Sequence, residues 1–112
     1  MENIEVDKAK AFNNVGLIEY VTGSIVIKTI IKRTTGSISV VSFDTGKIMA
    51  DKPIPFDTFI QIIEGEGEFV IDGLSNFLDT GQSIILPAHT SNIIKARARF
   101  KMISTIIKSG YE

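Results

Sequence analysis

The chain has 112 residues, 44% of them apolar and 22% charged, a composition ordinary for one soluble globular domain. Thirteen acidic and twelve basic side chains leave a net charge of -1, without the cation surplus that a nucleic-acid-coating surface needs. With no Cys and one His, disulfide frameworks, cysteine nucleophiles and zinc sites built on thiolates or several imidazoles are excluded.

The first residues carry Glu2, Glu5 and Asp7 rather than a basic start and an apolar run, so no signal peptide is expected. The longest apolar run is Ile84 to Ala88, far short of the ~20 residues of a membrane helix. The expectation is a cytoplasmic protein with neither membrane nor nucleic acid as partner.

Ile and Val number 27 against four Leu, and stiff β-branched side chains favour strands. In chain order, Asp7 to Tyr20 is the one place for a short helix. Thr-Gly pairs at 22-23, 35-36, 45-46 and 80-81 each stand beside a β-rich run, the pattern of turns between strands. Ser24 to Arg33 and Ser37 to Asp44 read as strands. Thr58 to Glu64 and Glu68 to Asp72 read as a pair with Gly65 and Gly67 between them. Ile71-Asp72-Gly73-Leu74 reads as a tight turn. Ser83 to Pro87, Ser91 to Lys95 and Phe100 to Lys108 complete the set, and short strands at this spacing predict a sandwich or small barrel. One domain over 1–112 is expected, with an arm at 1–22 and a barrel over 23–108.

Charges alternate with the strand period. Glu64, Glu66 and Glu68 would share one face, and Lys95, Arg97, Arg99 and Lys101 another. The rows read either as an anion-binding patch or, more commonly for such runs, as solvent faces and cross-strand pairs.

Two glycine-anchored segments carry a resemblance. Gly46-Lys-Ile-Met-Ala-Asp-Lys-Pro-Ile-Pro-Phe-Asp-Thr-Phe-Ile-Gln-Ile-Ile-Glu-Gly65 resembles the first motif of the cupin family. Gly81-Gln-Ser-Ile-Ile-Leu-Pro87-Ala-His resembles the start of the second. The span between them, Glu66-Gly-Glu-Phe-Val-Ile-Asp-Gly, looks like the hairpin that joins the two motifs. The resemblance runs from about Gly36 to Lys108 and implies an all-β fold: an antiparallel double-stranded β-helix, or jelly-roll barrel.

Cupins typically hold a divalent metal with two histidines and a glutamate of motif one and a histidine of motif two. Carried across by spacing, those positions are Lys52, Ile54, Thr58 and Asn92. The motif-two Gly is His89 and the motif-two Asn is Ala96. A protonated Lys donates and cannot ligate, and Ile has no donor atom at all. The resemblance therefore implies a small monocupin whose metal-ligand positions are replaced, with no metal cofactor.

Lys52, Thr58, His89 and Asn92 are the candidate pocket residues. Lys52 reads either as a cation in the metal's place, attracting an anionic group or serving as a base, or as a lysine snorkelling at the barrel mouth. His89 reads either as a general acid/base or donor to a ligand, or as a surface-loop residue in the conformation of the family's glycine. Thr58 and Asn92 read as ligand contacts or as strand-end residues. Thr58, Ile60 and Ile62 share one face. If that face lines the barrel, the pocket is greasy with a few polar groups at one end.

Three functional classes follow. The first is a metal-free binding module for a small molecule with an apolar body, and this is the preferred reading. The second is an enzyme, either metal-independent and isomerase- or epimerase-like, with His89 or Lys52 as base, or a metalloenzyme with ligands drawn from His89, Asp51 or Asp57. The third is a barrel plugged by its own side chains, serving a structural role. A homodimer is a family implication in all three, with Ile25, Ile27, Ile31, Phe59 and Ile63 as apolar area.

Overall fold

The computed structural model describes residues 5–110. Glu2, used above in the reading of the N-terminus, lies outside them. Eight strands form: β1 (Ile25–Arg33), β2 (Gly36–Phe43), β3 (Ile48–Asp51), β4 (Asp57–Ile71), β5 (Leu74–Asp79), β6 (Ser83–Leu86), β7 (Asn92–Lys95) and β8 (Phe100–Ile107). All pairings are antiparallel. Strand β4 is shared between two sheets. Its first half pairs with β8 and β6, in a sheet completed by β2 and β1. Its second half pairs with β5 and β7, and β3 adds to β7. The result is the curled, two-sheet antiparallel barrel that the sequence implied.

The continuity of β4 corrects one expectation. Residues 57–71 form a single strand, not a pair turned at Gly65 and Gly67. A register shift between Ile62 and Glu64 makes a bulge against β8, and the strand bends there from one sheet to the other. Gly65 adopts φ +86°, and a Cβ there would lie 2.4 Å from the Arg99 carbonyl oxygen. A Cβ at Gly67 would lie 3.0 Å from the rings of Phe100 and Phe69. These glycines answer a close approach by the chain entering β8, not a reversal. The true reversal follows at Asp72 and Gly73, with φ +51° and +84°, the two positive values of a type I′ hairpin turn.

Strands β3 and β5 are absent from the sequence-based expectation. β3 has four residues just ahead of two prolines, and β5 (Leu-Ser-Asn-Phe-Leu-Asp) has no β-branched residue. Each is held by its partner strand. The expected helix over Asp7 to Tyr20 reduces to one 3₁₀ turn, Val15–Leu17. Asn13 accepts the Val15 N–H on its side-chain oxygen at 3.1 Å, a local bond that competes with helix. The arm instead bonds to the barrel: the Val6 N–H donates to the Ile30 carbonyl at 3.1 Å, and the Ser42 hydroxyl to the Glu19 carbonyl at 2.9 Å. Its Ile18 packs with Val40 and Ile103 on the outer face of the β1-β2-β8 sheet.

The main core lies between the sheets. Phe43 and Phe100 stack at 4.5 Å with 10° between their planes, and Phe69 meets Phe100 edge-on at 6.2 Å. All three rings are fully buried. They fill one end of the barrel.

Candidate functional site

The other end of the barrel is open. A cavity of about 290 Å³ enters between the sheets, and Lys52, Ile54, Thr58 and Asn92 all line it. The four positions that the resemblance matched to a metal site therefore converge in space.

Lys52 and Ile54 belong to the connection between β3 and β4. Pro53 and Pro55 keep it out of regular pairing, and two hydrogen bonds hold it. The His89 N–H donates to the Ile54 carbonyl at 2.7 Å, and the Ala88 N–H donates to Asp57 Oδ1 at 2.8 Å. Thr58 is the second residue of β4 and is 7% exposed. Asn92 opens β7 and pairs with Asp51 and Ile71 on either side.

His89 has φ +61°, the left-handed conformation expected where the motif carries glycine. Its backbone builds the rim. Its side chain is exposed, is not part of the cavity lining, and makes no hydrogen bond or ion pair among the described residues. Three of the four candidate pocket residues thus line one cavity, with His89 beside it.

Two further polar residues line the cavity and were not singled out in the sequence: Ser39 on β2 and Ser104 on β8. They stand directly opposite each other in the β2–β8 ladder. The alternation along each strand could have found them. Val41 and Phe43 are core residues, so Ser39 points inward by the same period, and Met102 does the same for Ser104. Across from them the β3-β7 sheet contributes Met49 and Ile94. Among the described residues, the side chains of Ser39, Lys52, Thr58, Asn92 and Ser104 make no hydrogen bond or ion pair with another protein group.

An ammonium, an alkyl group, a hydroxyl and an amide do not fit a divalent metal in place of three imidazoles and a carboxylate. Among the described residues, no three His, Asp or Glu side chains gather into a cluster able to hold an ion. The candidate ligand Asp51 lies outside the residues whose side chains are described.

The charged rows form ion pairs, each with one partner buried. Arg97 meets Glu68 at 3.4 Å, Arg99 meets Asp44 at 2.9 Å and Lys101 meets Glu64 at 3.8 Å. Arg97 and Arg99 lie in the connection between β7 and β8, so the basic residues do not form one strand face. The Gly23 N–H, followed by the Arg99 guanidinium, holds the Asp44 carboxyl below its ordinary range. The Tyr20 hydroxyl donates to Glu64 at 2.6 Å, and burial together with that carboxylate pushes its titration up. Glu66 titrates above the usual carboxylate range because Asp79, opposite it on β5, shares a hydrogen bond with it and repels its charge. No helix among the described residues is long and apolar enough to cross a membrane.

No protein-family model and no curated protein sequence matches the chain. Solved structures do. A conserved protein of unknown function from Streptococcus pyogenes superposes with a TM-score of 0.87 at 25% identity, over 97% of this chain and 94% of that one. A cupin superfamily protein from Desulfitobacterium hafniense superposes with a TM-score of 0.86 at 21% identity, over 96% and 98%. A cupin 2 conserved barrel domain protein from Leptotrichia buccalis does so at 0.83 and 28% identity, over 87% of this chain and 47% of that one. Shared architecture over nearly the whole chain, with glycine-anchored segments in the family's order, gives the chain the cupin double-stranded β-helix fold at single-domain size, with Lys52, Ile54, Thr58 and Asn92 at the positions that the resemblance matched to a metal site.

Proposed function

We propose that this cupin-fold protein binds a small, anionic, apolar-bodied molecule in its barrel without a metal. The observation that carries the reading is Thr58. The residue is 7% exposed and lines the cavity, and its hydroxyl, which has no hydrogen-bond partner among the described residues, opens on the cavity rather than being sealed in the fold. A polar group of a ligand can take the place of the water that meets this hydroxyl in the free protein. Lys52 supplies the only charge among the described lining residues and sets the sign of the ligand. Asn92 offers both a donor and an acceptor, and the apolar remainder of the lining suits a hydrocarbon body. Ser39 and Ser104 extend the polar set beyond the residues expected from the motifs.

The test is native mass spectrometry of untagged protein, with elemental analysis after dialysis. A non-covalent organic adduct without stoichiometric metal supports the reading. One tightly held transition metal per chain refutes it.

Self-association is a second part of the proposal. Phe59 and Ile85 are cross-strand partners on the outer face of the β4-β6 pairing, and both are exposed, as is Ile107 on β8. A second copy covering them would remove apolar surface from water. A sedimentation mass near 12 kDa at micromolar concentration would count against the dimer.

A further inference from the structure

The cavity's polar groups fall into two stations. At the mouth stand Lys52, just beyond β3, and Asn92, which pairs with the residue before it. In the wall of the β2-β8-β4 sheet stand Ser39 and Ser104, directly opposite each other. Opposed residues on one face hold their Cβ atoms about 4.5–5.5 Å apart, so both hydroxyls can reach one ligand oxygen. Thr58 lies between the stations. Ser104 pairs with Ile60, and Thr58 is the next inward position on the same strand, about 7 Å nearer the mouth. All three hydroxyls are on one sheet, and the facing wall is apolar apart from Asn92 at the mouth.

We infer that the ligand is a short monocarboxylate bearing a hydroxyl or carbonyl oxygen along one edge. This rests on the binding reading above and narrows it. Among the described lining residues one lysine balances one charge, which favours a carboxylate over a phosphate dianion. Lys and Asn side chains donate to the carboxylate. The Ser39–Ser104 pair donates to a carbonyl or accepts from a hydroxyl, and Thr58 meets the ligand midway. The molecule's other edge is hydrocarbon and lies against Met49 and Ile94. A cavity of about 290 Å³ lies at the small end of ligand-site volumes, which suits a short molecule.

The experiment uses four probes in two matched pairs: 4-oxopentanoate against pentanoate, and 3-hydroxyhexanoate against hexanoate. Each is titrated calorimetrically into dialysed wild type, the Ser39→Ala/Ser104→Ala double variant and Lys52→Met. In wild type, the oxygenated acid of at least one pair should bind about three- to tenfold tighter than its parent, the worth of one or two hydrogen bonds. The double variant should lose that preference while binding the parent acid as wild type does. Lys52→Met should weaken all four about tenfold or more. Equal affinities within both pairs, a preference that survives the double variant, or no binding of any probe at about 10 mM overturns the inference. Failure of the wider binding reading is separate: it shows as a bound metal in the mass measurement, whatever these acids do.

Discussion

The two ends of the barrel are built by the same strands and have opposite characters. Reading inward positions from the closed end to the open one, β2 presents Phe43, Val41 and Ser39, and β8 presents Phe100, Met102 and Ser104. On β4 the order is Ile62, Ile60 and Thr58. Strands β2 and β4 grade from bulky and apolar to small and hydroxylated, and β8 does so as far as Ser104, beyond which Ile106 also lines the cavity. The backbone ladder is continuous across both ends, so the cavity comes from side-chain size and not from a break in pairing. One end stabilises the fold. The other presents polar groups to an open cavity, where water or a ligand can meet them.

The largest expected contrast comes from truncation. Phe100→Ala removes the ring that stacks on Phe43 and meets Phe69, and should cost about 3–5 kcal/mol in denaturant unfolding. Ser104→Ala, two inward positions along the same strand, should change stability by less than about 1 kcal/mol. Comparable losses at both sites would erase the distinction between the ends.

Filling the open end sharpens it. Ser104→Leu should leave the unfolding midpoint unchanged or raised, since an apolar side chain enters existing space, and should abolish the co-purified adduct seen by native mass spectrometry. An adduct that persists places the ligand elsewhere.

Thr58→Val keeps shape and removes the hydroxyl. The free protein should be as stable as wild type or up to about 1 kcal/mol more so, because no partner is orphaned. Affinity for an oxygenated acid should fall. A loss of stability would mean that the hydroxyl is already satisfied within the fold.

The smallest effects lie in the pH dependence of the closed end. Asp44 follows Phe43 and Arg99 precedes Phe100, so their pairing laces that end from outside. The folded-state titration of Asp44 is lowered, so its contribution is present above the unfolded carboxyl value near 4 and is lost as pH falls through the folded value. Asp44→Asn should lower Tm at pH 7, with the difference shrinking in acid. Glu66 runs the other way. Its titration is raised, so its ionised form destabilises the fold at neutral pH, and that penalty disappears as pH falls below the folded value. Glu66→Gln should raise Tm slightly at pH 7 and have no effect once the carboxyl is protonated. Melting curves from pH 3 to pH 8 read both, and an Asp44→Asn deficit that grows in acid would reverse the sign assigned here.

Much of this was legible before any coordinates. Four of the eight strands, β1, β6, β7 and β8, fall within runs read as strands, β2 does so but for its first residue, β4 joins two such runs, and Asp72-Gly73 forms the turn that its chemistry predicts. The glycine spacing located Lys52, Thr58 and Asn92, which meet in one cavity. The continuity of β4 was not legible, because Gly65 and Gly67 punctuate the sequence like a turn and their reason is the chain packed over them. β5 has no local strand signal and forms because a type I′ turn folds it onto β4. Alternation along each strand points Ser39 and Ser104 inward, but only the register sets them face to face across the β2–β8 ladder.

The most direct test of the central claim, that this cavity takes an organic anion where its relatives by motif would hold a metal, uses the two methionines in its lining. Met49 and Met102 sit on opposite sheets of the cavity wall. Methyl-labelled, dialysed, untagged protein is titrated with 3-hydroxyhexanoate, and separately with Mn²⁺, and followed by NMR. The account predicts saturable shifts of both methionine methyl signals with the acid and no paramagnetic broadening with the metal. Broadening of both signals at stoichiometric Mn²⁺, with no response to the acid, would contradict it.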